Sequence, residues 1–189
     1  ISFILWSFYS FSDSSFAICG KTITSLRRNV ITPLLPILTQ MGFTVKELKS
    51  SNIVLISKGK RSNRFYLFGG RDESSASLIQ GMTLSGVLLD EVALMPRSFV
   101  EQALARCSLD GSKFWFNCNP EHPAHWFYRE WIKKRKEKNE AKLKQEIRDM
   151  NFDVLLCMKE SWIMWMAITY GEYIPKRIAW VHTDVINHP

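Results

Sequence analysis

Two adjacent carboxylates, Asp90 and Glu91, follow the short apolar run Gly86–Leu89. If that run is a strand, both acids lie at its carboxyl end. In nucleotide hydrolases, one carboxylate of such a pair holds Mg²⁺, usually through water, and the second polarises the attacking water. The pair therefore predicts a catalytic metal site. A surface strand that ends in solvated acids is the alternative that the pair alone leaves open.

A second polar strand end follows the aromatic run Phe114–Phe116, where Asn117 and Asn119 precede a proline. In hydrolases of this architecture, a polar residue on the strand beside the acidic one can sense the γ-phosphate. Asn-Pro is also a common turn dipeptide, so an ordinary turn is the alternative. If the two runs form neighbouring parallel strands, Asp90 and Asn119 lie at the same edge of one sheet.

A third segment, Gly20-Lys21-Thr22, matches the end of a phosphate loop, G-x-x-x-x-G-K-S/T. In such a loop, backbone amides cradle phosphate at the start of a helix. Here Ser15 replaces the first glycine, and the residues between are apolar rather than glycine-rich. We therefore predict a plain strand-to-helix turn at this position.

Most of the net charge of +7 lies between Arg129 and Arg148, which carry nine Lys or Arg and four Glu. Such a segment attracts nucleic acid electrostatically. A solvated helix face of mixed charge is the alternative. The candidate nucleic-acid-binding residues are Lys133, Lys134, Arg135 and Lys136.

The elements that position these residues follow from the periodicity of the apolar residues. Strands alternate with helices, which is typical of an α/β domain with a mainly parallel sheet, and ligands in such sheets bind at the carboxyl ends of the strands. We predict helices over 1–11, 25–41 (kinked by Pro33 and Pro36), 96–105 and 124–148, strands over 15–19, 86–89 and 113–118, a hairpin of 52–57 with 64–68, and a polar loop over 69–77.

The composition restricts the class of protein. The 189 residues are 46% hydrophobic and 23% charged, so the chain forms one domain or one domain with a tail, and disorder throughout is excluded. No apolar run is long enough to span a membrane, and the start lacks the features of a secretory signal. The four cysteines form no C-x-x-C pair, which favours free thiols in a reducing cytoplasm over a zinc site.

Three segments taken together, Ala17–Leu38, Phe65–Ser108 and Phe114–Trp131, resemble the ATPase domain of the large terminase subunit of tailed bacteriophages and prophages. The resemblance covers roughly residues 1–138. It implies a RecA-like additional-strand P-loop NTPase domain with a mainly parallel sheet flanked by helices. In that family the domain powers DNA translocation into an empty procapsid, and a separate nuclease domain follows it.

The resemblance also implies roles for individual residues. It assigns Asp90 to Mg²⁺ and Glu91 to water activation, with ATP and Mg²⁺ as cofactors. Asn119, with Asn117 beside it, becomes the candidate coupling motif. The arginine that completes the site is less defined.

Two arginines, Arg71 and Arg106, are candidates for this arginine finger because one precedes and the other follows the acidic strand. Either could equally be a surface residue. The partners that the resemblance implies are double-stranded DNA, the portal protein, the small terminase subunit and further copies in a homo-oligomeric ring. The implied location is the cytoplasm of a bacterial host, with no membrane association and no secretion.

The sequence departs from the family pattern at both ends. The family's phosphate loop lies immediately before a helix like Ile1–Phe8, so it would precede the first residue, which is not Met. We therefore expect residues 1–138 to be a partial ATPase domain, incomplete at the N-terminus, and 139–189 to be a divergent or frameshifted tail without the nuclease domain. We expect no ATP hydrolysis above background from this polypeptide alone.

Two other functions remain open from the sequence. One is a fragment of another additional-strand ATPase such as a helicase, although no arginine-bearing second domain follows the acidic pair. The other is a non-enzymatic basic nucleic-acid-binding module centred on residues 129–148. Salt-dependent DNA binding that is indifferent to Glu91→Gln would favour the second.

Overall fold

The computed structural model describes residues 1–119, 121–135, 137–138, 141–142, 145, 154–157 and 176–179. The chain divides into two compact units, Ile1–Tyr128 and Arg129–Pro189. No helix in the described ranges is both long and apolar enough to cross a membrane.

The first unit is built on a six-stranded sheet with the order β2-β3-β4-β1-β5-β6. Strands β4, β1, β5 and β6 are parallel, and β3 and β2 extend the sheet in antiparallel fashion. This confirms the predicted α/β class, the mainly parallel sheet and the hairpin, whereas β2 was not predicted. The strands are β1 (Ser14–Gly20), β2 (Thr44–Leu48), β3 (Ile53–Lys58), β4 (Arg61–Gly69), β5 (Gly86–Asp90) and β6 (Lys113–Asn117).

The first helix, α1 (Ser2–Ser10), packs its aromatic residues on one face of the sheet. The ring of Phe3 meets Phe16 of β1 and Phe65 of β4 edge-on, with centroids 5.9 and 6.1 Å away. Phe16 and Phe65 stack on each other at 5.2 Å. All three rings are almost wholly buried. Each aromatic pair contributes about 0.5–1.5 kcal/mol beyond its buried area, so this cluster fixes α1 on the sheet.

The segment predicted as a kinked helix is one continuous helical stretch, in which the hydrogen-bond pattern changes from α to π and back to α. It comprises α2 (Ile23–Leu26), a π-helical turn (Arg27–Ile31) and α3 (Thr32–Gln40). Pro33 lies in the first turn of α3, just beyond the π turn. A proline lacks the N–H donor, and a local π turn is one way in which a helix accommodates that loss.

The predicted polar loop over residues 69–77 is wrong, because Glu73–Ile79 forms a 3₁₀ helix. Its start is stabilised by a capping box, in which the Asp72 carboxylate accepts a hydrogen bond from the Ser75 amide at 3.2 Å. The hydroxyls of Ser74 and Ser75 also hydrogen-bond to this carboxylate and lower the pKa of Asp72. Its last residue, Ile79, is fully buried, whereas a polar surface loop would leave its side chains exposed to solvent.

Short helices complete the described structure. They are the 3₁₀ turns Lys49–Ser51 and Val92–Leu94, the helix α4 (Arg97–Ala105) and the π-helical segment Tyr128–Lys133. The last of these lies within the predicted helix 124–148. Every described residue from 126 to 145 is helical, which agrees with that prediction, and the other residues of that stretch lie outside the described residues. In the second unit, β7 (Val154–Cys157) and β8 (Lys176–Ala179) form a parallel pair that the sequence did not predict. The rest of the predicted tail lies outside the described residues.

Gly86 begins β5 at a point where no side chain fits. A Cβ atom there would lie 2.7 Å from the Trp6 ring and 3.0 Å from the carbonyl oxygen of Lys113. Trp6 has little room to move, because Phe11, Phe16 and Trp115 surround its ring at 5.7–6.2 Å. The glycine therefore permits α1 to approach the start of β5.

We predict that Gly86→Ala destabilises the protein by about 1–3 kcal/mol, because the added methyl overpacks the contact with Trp6. Chemical denaturation measures this free energy of unfolding. In a Trp6→Leu background the same change should cost clearly less, since the clashing ring atoms are gone. Gly42→Ala is the control: Gly42 has a φ of +80° and open space around it, so its cost is backbone strain that Trp6→Leu leaves unchanged. Equal costs of Gly86→Ala in both backgrounds would contradict the interpretation.

Candidate functional site

The carboxyl ends of β5 and β6 bring the two polar strand ends together. Asp90 and Asn117 are partners in the parallel register. The Asn117 amide Nδ2 donates a hydrogen bond of 2.9 Å to Asp90 Oδ1. The predicted pairing of these two strands is therefore confirmed, and it places the carboxylate and the amide in direct contact.

The alternation of side chains along β5 decides where Asp90 points. Val87 and Leu89 are fully buried and lie on one face, so Leu88 and Asp90 lie on the other. That second face is the one covered by α1, because Trp6 of α1 lies against Gly86. Asp90 therefore emerges on the α1 side, where the sheet ends.

Glu91 has a left-handed backbone, with φ 55° and ψ 45°. Only a few per cent of residues other than glycine adopt a positive φ, and such residues often lie at functional turns. This conformation begins the 3₁₀ turn Val92–Leu94, whose Val92 is fully buried. Burial of that turn holds the exposed Glu91 side chain next to Asp90, although the two residues belong to different elements.

Asp90 and Glu91 both line a cavity of about 630 Å³. The polar part of its wall is formed by the carboxyl edge of the sheet, and the apolar part by α1 and the π turn with α3. The amino end of α1 adjoins the cavity through Ile1, Phe3 and Ile4. The remaining lining residues are Ile18, Asn29, Val30, Pro33, Leu34, Ile37, Leu88, Asn117, Cys118 and Asn119.

Asn119 is exposed and lines this cavity together with Asp90, so the two residues lie at the same edge, as predicted. It also lines a small adjoining pocket of about 40 Å³ with Glu91 and Glu121. Asn117 is engaged with Asp90, whereas no hydrogen bond within the described residues occupies the Asn119 side chain. The two asparagines are therefore placed for different tasks, and their roles stay predictions.

Neither candidate arginine lines the cavity. The carbonyl oxygen of Arg71 accepts a hydrogen bond of 2.8 Å from Lys21 Nζ, and its side chain is exposed. Arg106 lies after α4, where its carbonyl oxygen accepts from the Leu84 amide at 2.9 Å. Leu84 precedes β5, so Arg106 is near the amino end of the strand that carries Asp90 at its carboxyl end. The structure therefore places Arg106 away from the acidic pair of its own chain.

The segment Gly20-Lys21-Thr22 is a strand-to-helix turn, as predicted. Gly20 ends β1, and Thr22 caps α2 by accepting a hydrogen bond from the Ser25 amide at 3.1 Å. The Gly20 carbonyl oxygen accepts from the Gly70 amide at 2.8 Å. These bonds occupy the turn's polar groups within the protein.

The basic candidates belong to the second unit. Lys133, Lys134 and Arg135 are exposed, and Lys136 lies outside the described residues. Lys133 Nζ lies 3.8 Å from the Glu137 carboxylate one helical turn later. A pair this exposed contributes little to stability, so the lysine remains accessible to solvent.

Sequence reasoning missed the apolar wall of the cavity and Cys118. Val30, Leu34 and Ile37 recur at helical spacing, which predicted a buried helix face but not that this face borders the site. Cys118 is partly buried between the two asparagines. Burial, and secondarily the nearby Glu121 carboxylate, raise the pKa of the Cys118 thiol.

We predict that Glu121→Gln speeds alkylation of Cys118 at pH 8 by about twofold. Removing the carboxylate lowers the thiol pKa, so more of the reactive thiolate is present at that pH. Mass spectrometry of iodoacetamide-treated protein measures the rate at each cysteine.

Asp110→Asn, which removes an exposed carboxylate elsewhere, is the matched control and should leave the rate unchanged. Cys107 is the internal reference, because burial raises its pKa to about 12. A Cys118 rate that is the same in Glu121→Gln and in the unchanged protein would show that Glu121 does not act on this thiol.

The chain matches a known protein family. The family described as "Terminase large subunit, T4likevirus-type, N-terminal" matches residues 5–167, which is most of the chain. No curated protein matches the chain significantly.

Among solved structures, the chain is similar to the large terminase from a thermophilic bacteriophage, with 54% identity and a TM-score of 0.69. A second structure of that terminase, in complex with ADP, has 51% identity and the same TM-score. In both cases the match covers 73% of this chain and 34% of the other. This chain therefore spans about a third of the length of those relatives.

A more distant structure, the large terminase ATPase domain of the Thermus phage P74-26, has 17% identity and a TM-score of 0.50. The match covers 67% of this chain and 55% of that domain. At this identity the likeness concerns the fold alone, and it agrees with the six-stranded sheet flanked by helices.

Proposed function

This chain belongs to the terminase large subunit family of the T4likevirus type, and on that premise we propose that its carboxyl-edge site binds Mg²⁺-ATP as part of a DNA-packaging motor. The observation that carries the proposal is the contact of Asp90 with Asn117 beside Glu91, in a cavity bordered by the amino end of α1. The family assignment replaces the helicase alternative.

The donor set fits Mg²⁺. Oxygen ligands are those that this hard cation prefers, and it commonly retains several waters while one or two carboxylates bind it. Asp90 is the residue that would hold the ion, and when bound the ion neutralises charge on the β- and γ-phosphate oxygens. The hydrogen bond from Asn117 occupies Oδ1 of Asp90, and no hydrogen bond within the described residues occupies Oδ2.

Glu91 is placed to act as the general base. It is exposed to the cavity while its backbone is held by the buried 3₁₀ turn, so the carboxylate accepts a hydrogen bond from a water and orients it for attack. Asn119, whose side chain borders the same space, is placed to contact a terminal phosphate. In this arrangement Asn117 positions Asp90, and Asn119 is the coupling residue.

The amino end of α1 supports phosphate binding at this position. The first N–H groups of a helix have no partners within the helix, and the helix dipole favours an anion there. The solved terminase complex with ADP, 51% identical over its match, shows nucleotide binding for that protein. A complex of the same terminase with ATP-gamma-S has 51% identity. We propose the same ligand class for this chain.

The 189 residues contain no G-x-x-x-x-G-K-S/T sequence. Such a loop provides the lysine and backbone amides that hold the β- and γ-phosphates. The residues described here therefore provide the metal ligand and the base but not that cradle. We accordingly expect this polypeptide to bind nucleotide weakly and to release phosphate at the background rate.

We predict that a phosphate-loop segment placed ahead of Ile1 restores turnover, measured as steady-state phosphate release. In that longer chain, Glu91→Gln should abolish turnover and leave nucleotide binding largely intact, because the amide keeps the shape but cannot accept the proton. Asp90→Asn should instead raise the Mg²⁺ concentration needed for half-maximal rate.

Asp110→Asn is the control for loss of an exposed carboxylate. Turnover that persists in Glu91→Gln, or robust hydrolysis by the 189-residue chain itself, would show that the catalytic centre lies elsewhere.

Binding by the 189-residue chain can be tested separately from turnover. Because Cys118 lines the cavity, we predict that millimolar Mg²⁺-ATP slows its alkylation in proportion to occupancy. Cys107, which does not line the cavity, should react at an unchanged rate. Equal slowing at both thiols would indicate a global effect, and no slowing at any nucleotide concentration would contradict binding at this site.

We further propose the partners and location that this function implies. They are double-stranded DNA, a portal protein, a small terminase subunit and further copies of the subunit in a ring, in the cytoplasm of a bacterial host. The exposed Lys133, Lys134 and Arg135 favour a contribution of the second unit to DNA binding. That contribution is compatible with the ATPase role and would also exist in a purely nucleic-acid-binding module.

A further inference from the structure

The three outer strands, β2, β3 and β4 with their connections, are strongly basic. Residues 44–69 contain six Lys or Arg and one acidic residue, Glu47. Glu47 forms an ion pair with Arg27 on the helical stretch. This part of the sheet therefore carries an excess of positive charge that its own carboxylate does not balance.

The strand register sorts these residues onto the two faces of the sheet. Val54, Ile56 and Phe65 are buried, and Phe65 contacts Phe3 of α1, so they define the covered face. Residues that alternate with them lie on the opposite face. Two cross-strand rows occupy that face, Lys46–Leu55–Arg64 and Thr44–Ser57–Ser62.

These two rows, together with Lys60 of the β3–β4 turn, form what we call the basic face. Its cations, Lys46, Lys60 and Arg64, are exposed, and within the described residues their side chains make no hydrogen bond or ion pair. The hydroxyls of Thr44, Ser57 and Ser62 are likewise not engaged by the described residues. The basic face thus offers charged and neutral hydrogen-bond donors to solvent.

Two further cations of these strands, Lys58 and Arg61, are engaged within the protein, and the remaining one, Lys49, lies in the 3₁₀ turn between β2 and β3. Lys58 Nζ donates to the Met41 carbonyl oxygen at 2.9 Å and lies 4.6 Å from the centre of the Phe43 ring. Arg61 donates to the carbonyl oxygens of Phe8 and Tyr9. Both contacts are on the covered side. Lys46, Lys60 and Arg64 differ from these two engaged cations, because no hydrogen bond or ion pair within the described residues occupies their charged groups.

Asp13 lies beside the basic face, because its amide donates a hydrogen bond of 2.6 Å to the Ser62 carbonyl oxygen. The Ser12 hydroxyl donates to the Asp13 carboxylate at 3.1 Å. Among the described residues, Asp13 is the acid that a hydrogen bond places next to these rows, and its single charge leaves the three cations in excess.

We propose that the basic face binds the phosphate backbone of duplex DNA. Lysine, arginine and serine or threonine hydroxyls are the side chains that contact phosphates in protein–DNA complexes, and they position the duplex without reading its sequence. Lys46 and Arg64 are separated by two strand spacings, roughly 10 Å, along which a duplex presents several phosphates. This inference rests on the proposed function, which makes DNA the polyanion that this chain meets.

The basic face is separate from the acidic site. Arg64 pairs in register with Ser15 near the start of β1, whereas Asp90 ends the parallel strand β5. The two sites therefore lie at opposite edges of the sheet, and the basic face lies on the face opposite α1. Substitutions in one should leave the other intact.

The test is binding of a short fluorescein-labelled duplex to the 189-residue chain, followed by anisotropy at several salt concentrations. Each phosphate contact contributes about 0.9 to the slope of log K against log salt. For Lys46→Ala with Arg64→Ala, we expect that slope to fall by about 2 and the affinity to fall on the order of tenfold at low salt. The conservative pair Lys46→Arg with Arg64→Lys should retain the slope, which guards against loss of folding as the cause.

Arg28→Ala with Arg97→Ala is the matched control, because it removes two exposed positive charges from elsewhere in the same unit. Equal effects of this control and of the Lys46–Arg64 pair would overturn the proposal, since only net charge would then matter. The proposal would also be overturned if the Lys46–Arg64 pair left the salt slope unchanged and the double substitution Lys133→Ala with Lys134→Ala abolished DNA binding.

The same variants should show unchanged protection of Cys118 by Mg²⁺-ATP. Loss of DNA binding with retained protection supports the basic face. Retained DNA binding in the Lys46–Arg64 pair overturns the basic face and leaves the nucleotide proposal standing. Absence of protection in every variant, with the expected change in slope, would overturn the nucleotide site alone.

Discussion

Packing of the α1 aromatic side chains against the sheet is the interaction on which the candidate site depends. Phe3 is buried against Phe16 and Phe65, and Trp6 fills the space over Gly86. These contacts hold the amino end of α1 beside the carboxyl edge, where Asp90 emerges. Without these contacts the acidic pair would lie at an open sheet edge, and α1 would not form a wall of the cavity. The amino end of the helix would then be too far from the edge for its dipole to favour an anion there.

At the acidic edge, backbone geometry gives neighbouring residues different positions. Strand pairing places Asn117 against Asp90, so a neutral amide donates a hydrogen bond to the carboxylate. The left-handed backbone at Glu91 turns the chain at once, so two consecutive acids reach the same cavity from different elements. A regular strand would have sent consecutive side chains to opposite faces.

The sheet also separates two kinds of charge. Its acids lie at the carboxyl edge on the α1 side, and the cations of the basic face lie at the other edge on the opposite side. A parallel sheet makes this possible because all its strands end at one edge, while the antiparallel hairpin adds a surface beyond it. In the proposed motor, this arrangement would keep the negatively charged duplex away from Asp90 and Glu91.

The sequence by itself determined the α/β class, the pairing of the two strands and the position of Asp90 and Asn119 at one edge of the sheet. An apolar run that ends in polar residues is a local pattern, and parallel strands have their carboxyl ends at the same edge. The direct contact of Asn117 with Asp90 was decided by the strand register. The sequence also identified the Gly20-Lys21-Thr22 turn, since the apolar residues before it cannot form a glycine-rich loop. It missed β2 and misread Glu73–Ile79, where the capping box of Asp72 and Ser75 and the burial of Ile79 accompany a 3₁₀ helix. Only the tertiary structure decided that Arg106 lies far from the acids, that α3 lines the cavity, and that Lys46 and Arg64 share one row. Those facts depend on strand register and helix packing, which bring together residues whose separation along the chain carries no signal of contact.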